Sequence, residues 1–323
     1  MQWWRVVGAI GRFMMRAGVL VLLFVAYQLW GTGLATNRAQ DRLEGEFAEL
    51  LASSGATSTT TSSTTTTIAE APTTTLAPVT APVDIPPPEP GAPVGRIEIP
   101  AIGVDFISVQ GVDLKWLKDG PGHFPQTPLP GQPGNVALAG HRTTYAAPFN
   151  RLDELAPGDE ITFETVQGTF TYTVDSHTEA DGSTSGHFIV SPSEVSILDP
   201  TDVNRVTLVA CHPKYSARQR IVVTATLASP PAPPTPLPDP ADPESGVTTD
   251  ASVDALAGGD SSARGPAILW SLLAIAVWFT TWWVARRWPI WHKVPAYVVG
   301  VPIFAVVLFI AYENIARLLP ASY

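Results

Sequence analysis

Three long apolar runs stand out in the pattern of hydrophobic and polar positions, one near the start of the chain and two near its end. Residues 17–35, 267–285 and 294–312 contain no charged side chain. An α-helix of that length extends about 28 Å, close to the thickness of the hydrocarbon layer of a bilayer. The pattern therefore predicts three transmembrane helices. The alternatives are a cleaved signal peptide for the first run and buried core helices for any of them.

Basic residues flank these runs and predict their orientation. Residues 1–16 carry three arginines before the first run, and residues 286–293, between the second and third runs, carry two arginines and a lysine. Basic flanking segments stay in the cytoplasm, so both segments are predicted to lie there. Residues 36–266 then lie outside the cell, residues 313–323 form a short external tail, and the lipid bilayer is a partner of the chain.

The external region, residues 36–266, divides further by composition. Apolar residues recur at helical spacing between residues 43 and 51, which predicts that a helix continues beyond the first membrane segment. Residues 53–94 are Thr, Ser, Pro and Ala with almost no charge, a composition that predicts a disordered stalk at the end of segment 36–94. Residues 229–266 are rich in Pro, Asp and Gly and are interpreted as a linker.

Residues 95–228 have the size and the patterning of one globular domain. Short segments rich in β-branched and aromatic residues alternate there with turns that contain glycine or proline. Short helices are predicted at residues 113–117 and 149–155. Eight strands in so short a stretch indicate an all-β fold, a closed or nearly closed β-barrel, because closure removes exposed strand edges. The predicted strands are residues 96–99, 104–109, 135–141, 160–164, 169–174, 187–190, 205–210 and 220–227.

Charge and cysteine content exclude several classes of function. The formal net charge of −10 removes the usual electrostatic basis for nucleic-acid binding. The single cysteine excludes an intramolecular disulfide framework and any zinc site built on several cysteines. No histidines are spaced as metal ligands, so neither a metal nor a cofactor is predicted.

Candidate chemistry gathers at three positions of residues 95–228. Cys211 ends an apolar strand pattern, where its sulfur can face a cleft, although a lone cysteine is often only a buried, inert side chain. His141 follows a glycine that lets another chain or a substrate approach closely. Arg220 opens an apolar strand, and its guanidinium suits the stabilisation of an oxyanion or the binding of a substrate carbonyl.

Other residues compete for these roles. His212 can act as the base only if the chain folds it back beside Cys211, since neighbouring strand residues point to opposite faces. Arg218 lies close to Arg220, and both arginines could instead belong to a solvated polar face. The other histidines of the external region are His123, His177 and His187.

Several motifs in residues 95–227, in order, resemble those of the sortase family. The most specific is Thr207-Leu208-Val209-Ala210-Cys211, with Arg220 nine residues after the cysteine. The turn after Cys211 and residues 216–220 look most like the class E housekeeping sortases of actinobacteria. Sortases usually carry Thr directly before the cysteine, and Ala210 stands there in this chain. The other matching stretches are Ile97–Ile102, Gly120–His123, Gly134–Arg142, and Leu155 with Gly158-Asp159.

This resemblance implies an eight-stranded sortase β-barrel in which His141, Cys211 and Arg220 face one groove. It implies that Cys211 is the nucleophile, which cleaves an LPxTG-like or LAxTG sorting signal between Thr and Gly through a thioacyl intermediate. His141 would be the general acid and base, and Arg220 would stabilise the oxyanion or the substrate. The implied partners are surface proteins that carry the signal and an amine of a peptidoglycan precursor, at the plasma membrane of a Gram-positive-type bacterium.

Four other functions remain as alternatives, and one of them is a structural membrane protein with a passive outer domain. A sortase-like barrel without activity could serve as a surface binding module. A pilin-polymerising sortase would use a different amine acceptor, although residues 83–88 lack the Asp-Pro dipeptide that such enzymes often carry in a lid. An L,D-transpeptidase also uses cysteine and histidine at the cell wall, but its Ser-His-Gly-Cys-x-Arg signature is absent.

Overall fold

The elements of the fold follow the apolar patterning closely. The computed structural model describes residues 3–54, 85–178, 182–237, 261–287 and 293–318. The helices are α1 (Trp3–Ala26), α2 (Thr32–Ser54), α3 (Leu114–Leu117), α4 (Arg264–Arg287) and α5 (Lys293–Ala316). The strands are β1 (Pro93–Ile99), β2 (Val104–Gln110), β3 (Gly122–His123), β4 (Asn135–Ala139), β5 (Glu160–Thr165), β6 (Gly168–Val174), β7 (His177–Thr178), β8 (Thr184–Ser185), β9 (Phe188–Val190), β10 (Arg205–His212) and β11 (Gln219–Leu227). Short 3₁₀ turns occur at Pro100–Ile102, Leu152–Glu154 and Ser196–Leu198.

Eight of the described strands close into a barrel. The order around the ring is β10-β4-β3-β2-β1-β5-β6-β11, and pairing of β11 with β10 completes it. The β10–β4 and β2–β3 pairs are parallel, and the other pairs of the ring are antiparallel. Because the ring closes, none of its strands presents an unpaired edge. The predicted all-β barrel is confirmed.

The membership of the ring differs from the prediction at one strand. Residues 122–123 form β3, which bridges β2 and β4, and the sequence pattern did not predict it. A two-residue strand is too short to show an alternation of apolar and polar positions. The predicted strand at residues 187–190 exists as β9, but it pairs only with the Arg220–Val222 end of β11 and lies outside the ring.

Alternation along the strands divides the apolar residues between two cores. One fills the barrel interior, and Ala210 of β10 belongs to it. The other covers the outer face of β10, where Val209 and Cys211 pack with Leu117, Phe124 and Ile197. Successive residues of a strand face opposite sides of a sheet, so Cys211 points out of the barrel wall and Ala210 points into it. Fully buried residues of the interior include Ile97, Phe163, Tyr172, Leu208 and Val223.

The N-terminal helices are continuous with one another, and α2 contacts the barrel. A π-helical segment, Tyr27–Gly31, joins α1 to α2. The helix α2 passes through the residues whose apolar spacing predicts a helical extension, and its Leu43 and Phe47 pack against Ile107 and Val109 of β2. The helix α2 therefore packs against the outside of the barrel. The assignment of residues 17–35 to the membrane remains a prediction.

The C-terminal helices α4 and α5 form an antiparallel pair. Trp278 lies 5.3 Å from Phe304 between ring centroids, and a Cβ atom at Gly300 would clash with the side chain of Thr281. Glycine at that position therefore lets the two helices approach closely. Among the described residues, Arg264–Arg287 and Pro295–Ala316 are long and apolar enough to cross a membrane.

Some predicted segments lie largely outside the described residues. They are the stalk over residues 55–84, the linker over residues 238–260, the basic loop over residues 288–292, and residues 319–323 of the tail.

Candidate active site

Strands β10 and β11 bring the cysteine and the predicted arginine together. In their antiparallel register Cys211 is the direct partner of Arg220. Side chains of paired residues lie on the same face of a sheet, about 5 Å apart at Cβ. Cys211 is 4% exposed and Arg220 is fully buried. The guanidinium Nη1 of Arg220 donates to the carbonyl oxygens of Ala217 and Gln219, each at 3.0 Å, which fixes its direction.

The parallel pairing of β4 with β10 places His141 level with Cys211. Ala139 is the register partner of Val209, and the amide of Gly140 donates to the carbonyl of Val209 at 3.0 Å. His141 and Cys211 each lie two residues beyond this pair, so both follow the same edge of the sheet. A Cβ atom at Gly140 would approach the ring of Phe149 to 2.5 Å. The glycine before the histidine is therefore needed for the close approach of a neighbouring ring.

The loop after His141 surrounds its imidazole. The ring of Tyr145 lies 4.9 Å from the imidazole between centroids, and Oγ1 of Thr144 lies 3.4 Å from Nδ1. His141 is only 2% exposed. Tyr145, Ala146 and Ala147 have positive φ angles of 53°, 59° and 46°. Residues other than glycine adopt this left-handed conformation only where the surrounding structure holds them.

Arg142 ties this loop to the end of β10. It is 2% exposed and forms an ion pair with Asp153 at 2.8 Å. Its Nη1 donates to the carbonyl oxygen of Cys211 at 3.3 Å and to Nδ1 of His212 at 3.1 Å. The carboxylate of Asp153 also lies 3.7 Å from the amine of Lys214. The residue after the histidine thus anchors the backbone of the cysteine.

Burial and positive charge act in opposite directions on Cys211. Burial raises the pKa of its thiol, while the charges of Arg220 and Arg142 act to lower it, and burial prevails. The thiol is therefore mostly protonated at neutral pH. Both arginines favour the thiolate once it forms, so the site stabilises the charged nucleophile without holding it permanently ionised.

Asp153 keeps its charge despite partial burial. Burial acts to raise the pKa of its carboxyl, but the nearby Arg142, together with a backbone hydrogen bond and Lys214, lowers it overall. The carboxylate is therefore ionised at neutral pH and holds Arg142 in place.

The structure places His212 on the face of β10 opposite Cys211 and gives His123 and His177 other neighbours. His212 continues strand β10 as the partner of Gln219, so the chain does not fold it back beside Cys211, and it lies on the opposite face. Burial, with the nearby Arg142, lowers the pKa of His212. His123 is buried against Gln110, and burial lowers its pKa to about 4. His177 lies against Phe188 at 4.6 Å between ring centroids.

The two arginines that competed for one role are also separated. Arg218 is exposed, whereas Arg220 is buried opposite the cysteine. Sequence reasoning gave no role to Arg142, Tyr145 or Asp153. The position of Arg142 directly after the candidate histidine is a feature of the sequence that could have indicated a role in the site. The pairing with Asp153 is a contact between side chains eleven residues apart in a loop, and no periodic pattern reveals it.

Comparison with known proteins identifies the domain. Residues 97–228 match the family model described as "Sortase domain". Residues 97–228 are therefore a sortase domain. Sortases are cysteine transpeptidases. No group of three or more His, Cys, Asp and Glu side chains that could hold a metal ion occurs in the part of the chain that the structure describes.

Two curated sortases of Streptomyces coelicolor carry class E names. Sortase SrtE1 is 29% identical over 234 residues, covering 67% of this chain and 55% of that protein. Sortase SrtE2 is 26% identical over 244 residues, covering 68% of this chain and 81% of that protein. The match thus spans about half of the first relative's length. Both names agree with the class E resemblance.

Solved structures of sortases are also similar. Sortase E from Streptomyces avermitilis is 30% identical, with a TM-score of 0.37, and the match covers 43% of this chain and 90% of that one. The SrtF sortase from Corynebacterium diphtheriae is 30% identical, with a TM-score of 0.40, and the match covers 45% of this chain and 91% of that one.

Proposed function

We propose that this protein is a membrane-anchored sortase that acts as a cysteine transpeptidase on surface proteins. The observation that carries the proposal is the register of β10 and β11, which sets Cys211 opposite the buried Arg220, beside the end of the strand that leads into His141. A nucleophile, a general acid and a fixed cation are thus available at one sheet edge.

The proposed reaction proceeds in two stages. The thiolate of Cys211 attacks the carbonyl carbon of Thr in an LPxTG-like or LAxTG signal, and the carbonyl oxygen becomes an oxyanion that Arg220 stabilises. The C–N bond to Gly breaks as His141, in its protonated form, gives a proton to the leaving amine. The second stage is the attack of an acceptor amine on the thioester. This amine loses a proton to His141, an amide bond forms, and the Cys211 thiolate is released.

The proposed acceptor is an amine of a peptidoglycan precursor, so that the product is a surface protein joined to the cell wall. The catalytic roles of Cys211, His141 and Arg220 belong to this proposal. An inactive binding module is less well supported, because all three residue types meet at one edge of the barrel. A pilin-polymerising role would differ only in the acceptor amine, so a glycine amine and a pilin-derived lysine amine distinguish the two roles.

The proposed topology places the barrel outside the cell and the N-terminus in the cytoplasm. It is supported by the apolar surfaces of α4 and α5. At the end of α4, Arg286 stacks over Trp282 at 4.4 Å and Arg287 over Trp283 at 5.2 Å. Tryptophan and arginine together are typical of a membrane–water interface.

The test uses the full chain in lipid nanodiscs with LPxTG and LAxTG peptides, with and without an added glycine amine or a pilin-derived lysine amine. We expect a thioacyl adduct on Cys211 by mass spectrometry, and its release as a transpeptidation product when an amine is added. The Cys211→Ala variant should form neither. Absence of any adduct while Cys211 still reacts with iodoacetamide would refute the proposed substrate, and cleavage that persists in Cys211→Ala would refute the mechanism.

A further inference from the structure

The first turns of α2 are attached to the barrel by buried polar groups. Thr36 is fully buried, and its hydroxyl donates to the carbonyl of Lys118 at 2.8 Å. The side chain of Gln40 donates to the carbonyl of Ile107 at 3.0 Å and accepts from the amide of Ile107 at 2.7 Å. Hydrogen bonds of this kind hold one orientation, because a buried polar group that loses its partner costs free energy. The helix therefore meets the barrel in one fixed register.

The start of α2 touches the loop that surrounds His141. Thr32 is 1% exposed, and its Oγ1 accepts a hydrogen bond from the backbone amide of Tyr145 at 3.2 Å. The same hydroxyl donates to the carbonyl of Gln28 at 2.9 Å, so both its donor and acceptor capacities are used. Next to it, a Cβ atom at Gly33 would lie 3.8 Å from the backbone nitrogen of Ala146. The helix is thus in contact with two successive residues of the loop.

Both of these residues have a backbone conformation that depends on neighbouring contacts. Tyr145 and Ala146 have φ angles of 53° and 59°, in the left-handed region, and such conformations persist only where neighbouring contacts impose them. The ring of Tyr145 lies 4.9 Å from the imidazole of His141. A shift of the Tyr145 backbone would therefore change the packing and the solvation of the proposed general acid.

The C-terminal helix reaches the same loop. Burial raises the pKa of Tyr145 to about 12, with the Glu313 carboxylate adding to the rise and Arg317 opposing it. The helix α5 is itself fixed to the N-terminal helices, because Tyr312 donates to the carbonyl of Leu20 at 2.7 Å. The loop after His141 therefore lies where the helical elements of both chain ends meet the barrel.

We propose that Thr32 is a positioning residue, which fixes the Tyr145 loop over His141 and so makes the helices before the barrel part of the working active site. This inference rests on the proposed transpeptidase function. It means that a barrel cut off at residue 95 would retain Cys211 and Arg220 but would lose the support of the loop that covers His141.

The experiment compares three variants of the full chain in lipid nanodiscs. Thr32→Val removes the hydroxyl at nearly constant volume, and Thr32→Ser restores it. Thr36→Val is the matched control, since it removes a buried hydroxyl from the same helix whose barrel partner is the carbonyl of Lys118, outside the His141 loop. The other contact of this hydroxyl, at 3.3 Å, is with the backbone carbonyl of Thr32 and not with the Thr32 hydroxyl that binds Tyr145. Transpeptidation of the sorting-signal peptide is measured across pH, and hydrogen exchange is measured for the segment that contains residues 143–150.

We expect Thr32→Val to lower kcat about fivefold, the effect of one hydrogen bond on a positioned group, with KM within twofold of the wild-type value. The pH profile of kcat should differ from that of the wild type, and exchange in residues 143–150 should accelerate. Thr32→Ser should restore all three properties. Thr36→Val should leave the pH profile and the exchange of this segment unchanged, whatever its thermal stability.

Equal behaviour of Thr32→Val and Thr36→Val in both measurements would overturn the inference while leaving the proposed function intact. If the wild-type chain does not turn over the peptide, the proposed function is wrong. The exchange measurement then still decides whether Thr32 holds the loop, because it requires no activity. Faster exchange in Thr32→Val alone would support the structural half of the inference, and unchanged exchange would reject it.

Discussion

The two sides of Cys211 are held by buried arginines with different partners. On one side, Arg142 is paired at 2.8 Å with the carboxylate of Asp153. On the other side, Nη1 of Arg220 donates to two neutral carbonyl oxygens, those of Ala217 and Gln219. A carboxylate cancels much of a guanidinium's charge, whereas a carbonyl only orients it. Arg142 therefore ties the backbone of Cys211 to Asp153, whereas Arg220 lies opposite Cys211 and its charge acts more strongly than that of Arg142 to lower the pKa of the thiol.

The largest effect should come from removing the oriented charge. We expect Arg220→Ala to lower kcat for transpeptidation by about 10²- to 10³-fold, the range seen when an oxyanion-stabilising group is lost. The exposed Arg218 is the control, and Arg218→Ala should stay within twofold of the wild-type kcat. Steady-state kinetics with the sorting-signal peptide measure both. A greater loss of kcat in Arg218→Ala than in Arg220→Ala would show that Arg218, and not Arg220, stabilises the oxyanion.

A smaller effect, on stability rather than turnover, should come from the other side of the cysteine. Asp153→Asn leaves the buried Arg142 without its counterion, and we expect a loss of about 2 kcal/mol in the free energy of unfolding. The loss is less than for a fully buried pair because the Asp153 side chain is 38% exposed. Thermal or denaturant unfolding measures it. Glu154→Gln is the neighbouring control, since the Arg151–Glu154 pair is exposed and should contribute little.

The pH dependence of that difference checks its cause. The pKa of Asp153 is lowered in the folded chain, so its contribution to stability is present above the ordinary carboxyl pKa and is lost as pH falls through the folded value. The gap in stability between wild type and Asp153→Asn should therefore shrink on acidification below about pH 4. A gap that is constant with pH would mean that packing, rather than charge, accounts for it.

The smallest effect concerns the ionisation of the thiol. Burial raises the pKa of Cys211, and Arg220 and then Arg142 act against the rise. Removing either positive charge should raise that pKa further. We expect the rate of alkylation at pH 8 to fall several-fold in Arg220→Gln and less in Arg142→Gln, because only the thiolate reacts. The kinetics of alkylation by iodoacetamide across pH measure both rates. Equal effects of the two variants would contradict the larger influence of Arg220 on the thiol pKa.

Most strands of the barrel were predictable because apolar side chains that face the interior alternate along the chain with side chains that face outward. The alternation in β1, β5 and β6 is strong enough to predict their positions to within a few residues. Strand β3 was missed because two residues carry no period. Cys211 was recognisable from the end of a strand pattern, and Arg220 from the start of the next. The choice between Arg218 and Arg220 rested on resemblance until the register of β10 with β11 placed one of them opposite the cysteine.

The sequence by itself determined the three apolar runs, the domain between them, and the identities of Cys211, His141 and Arg220 as candidates. These features are written in composition, local period and motif, which need no long-range contact. Only the tertiary structure decided that Arg142 donates a hydrogen bond to the carbonyl of Cys211 and that the hydroxyl of Thr32 accepts one from the amide of Tyr145. Thr32 and Tyr145 lie 113 residues apart in the chain. Such pairs come together only when closure of the barrel and docking of the helix set their distance, and no pattern along the chain encodes that distance.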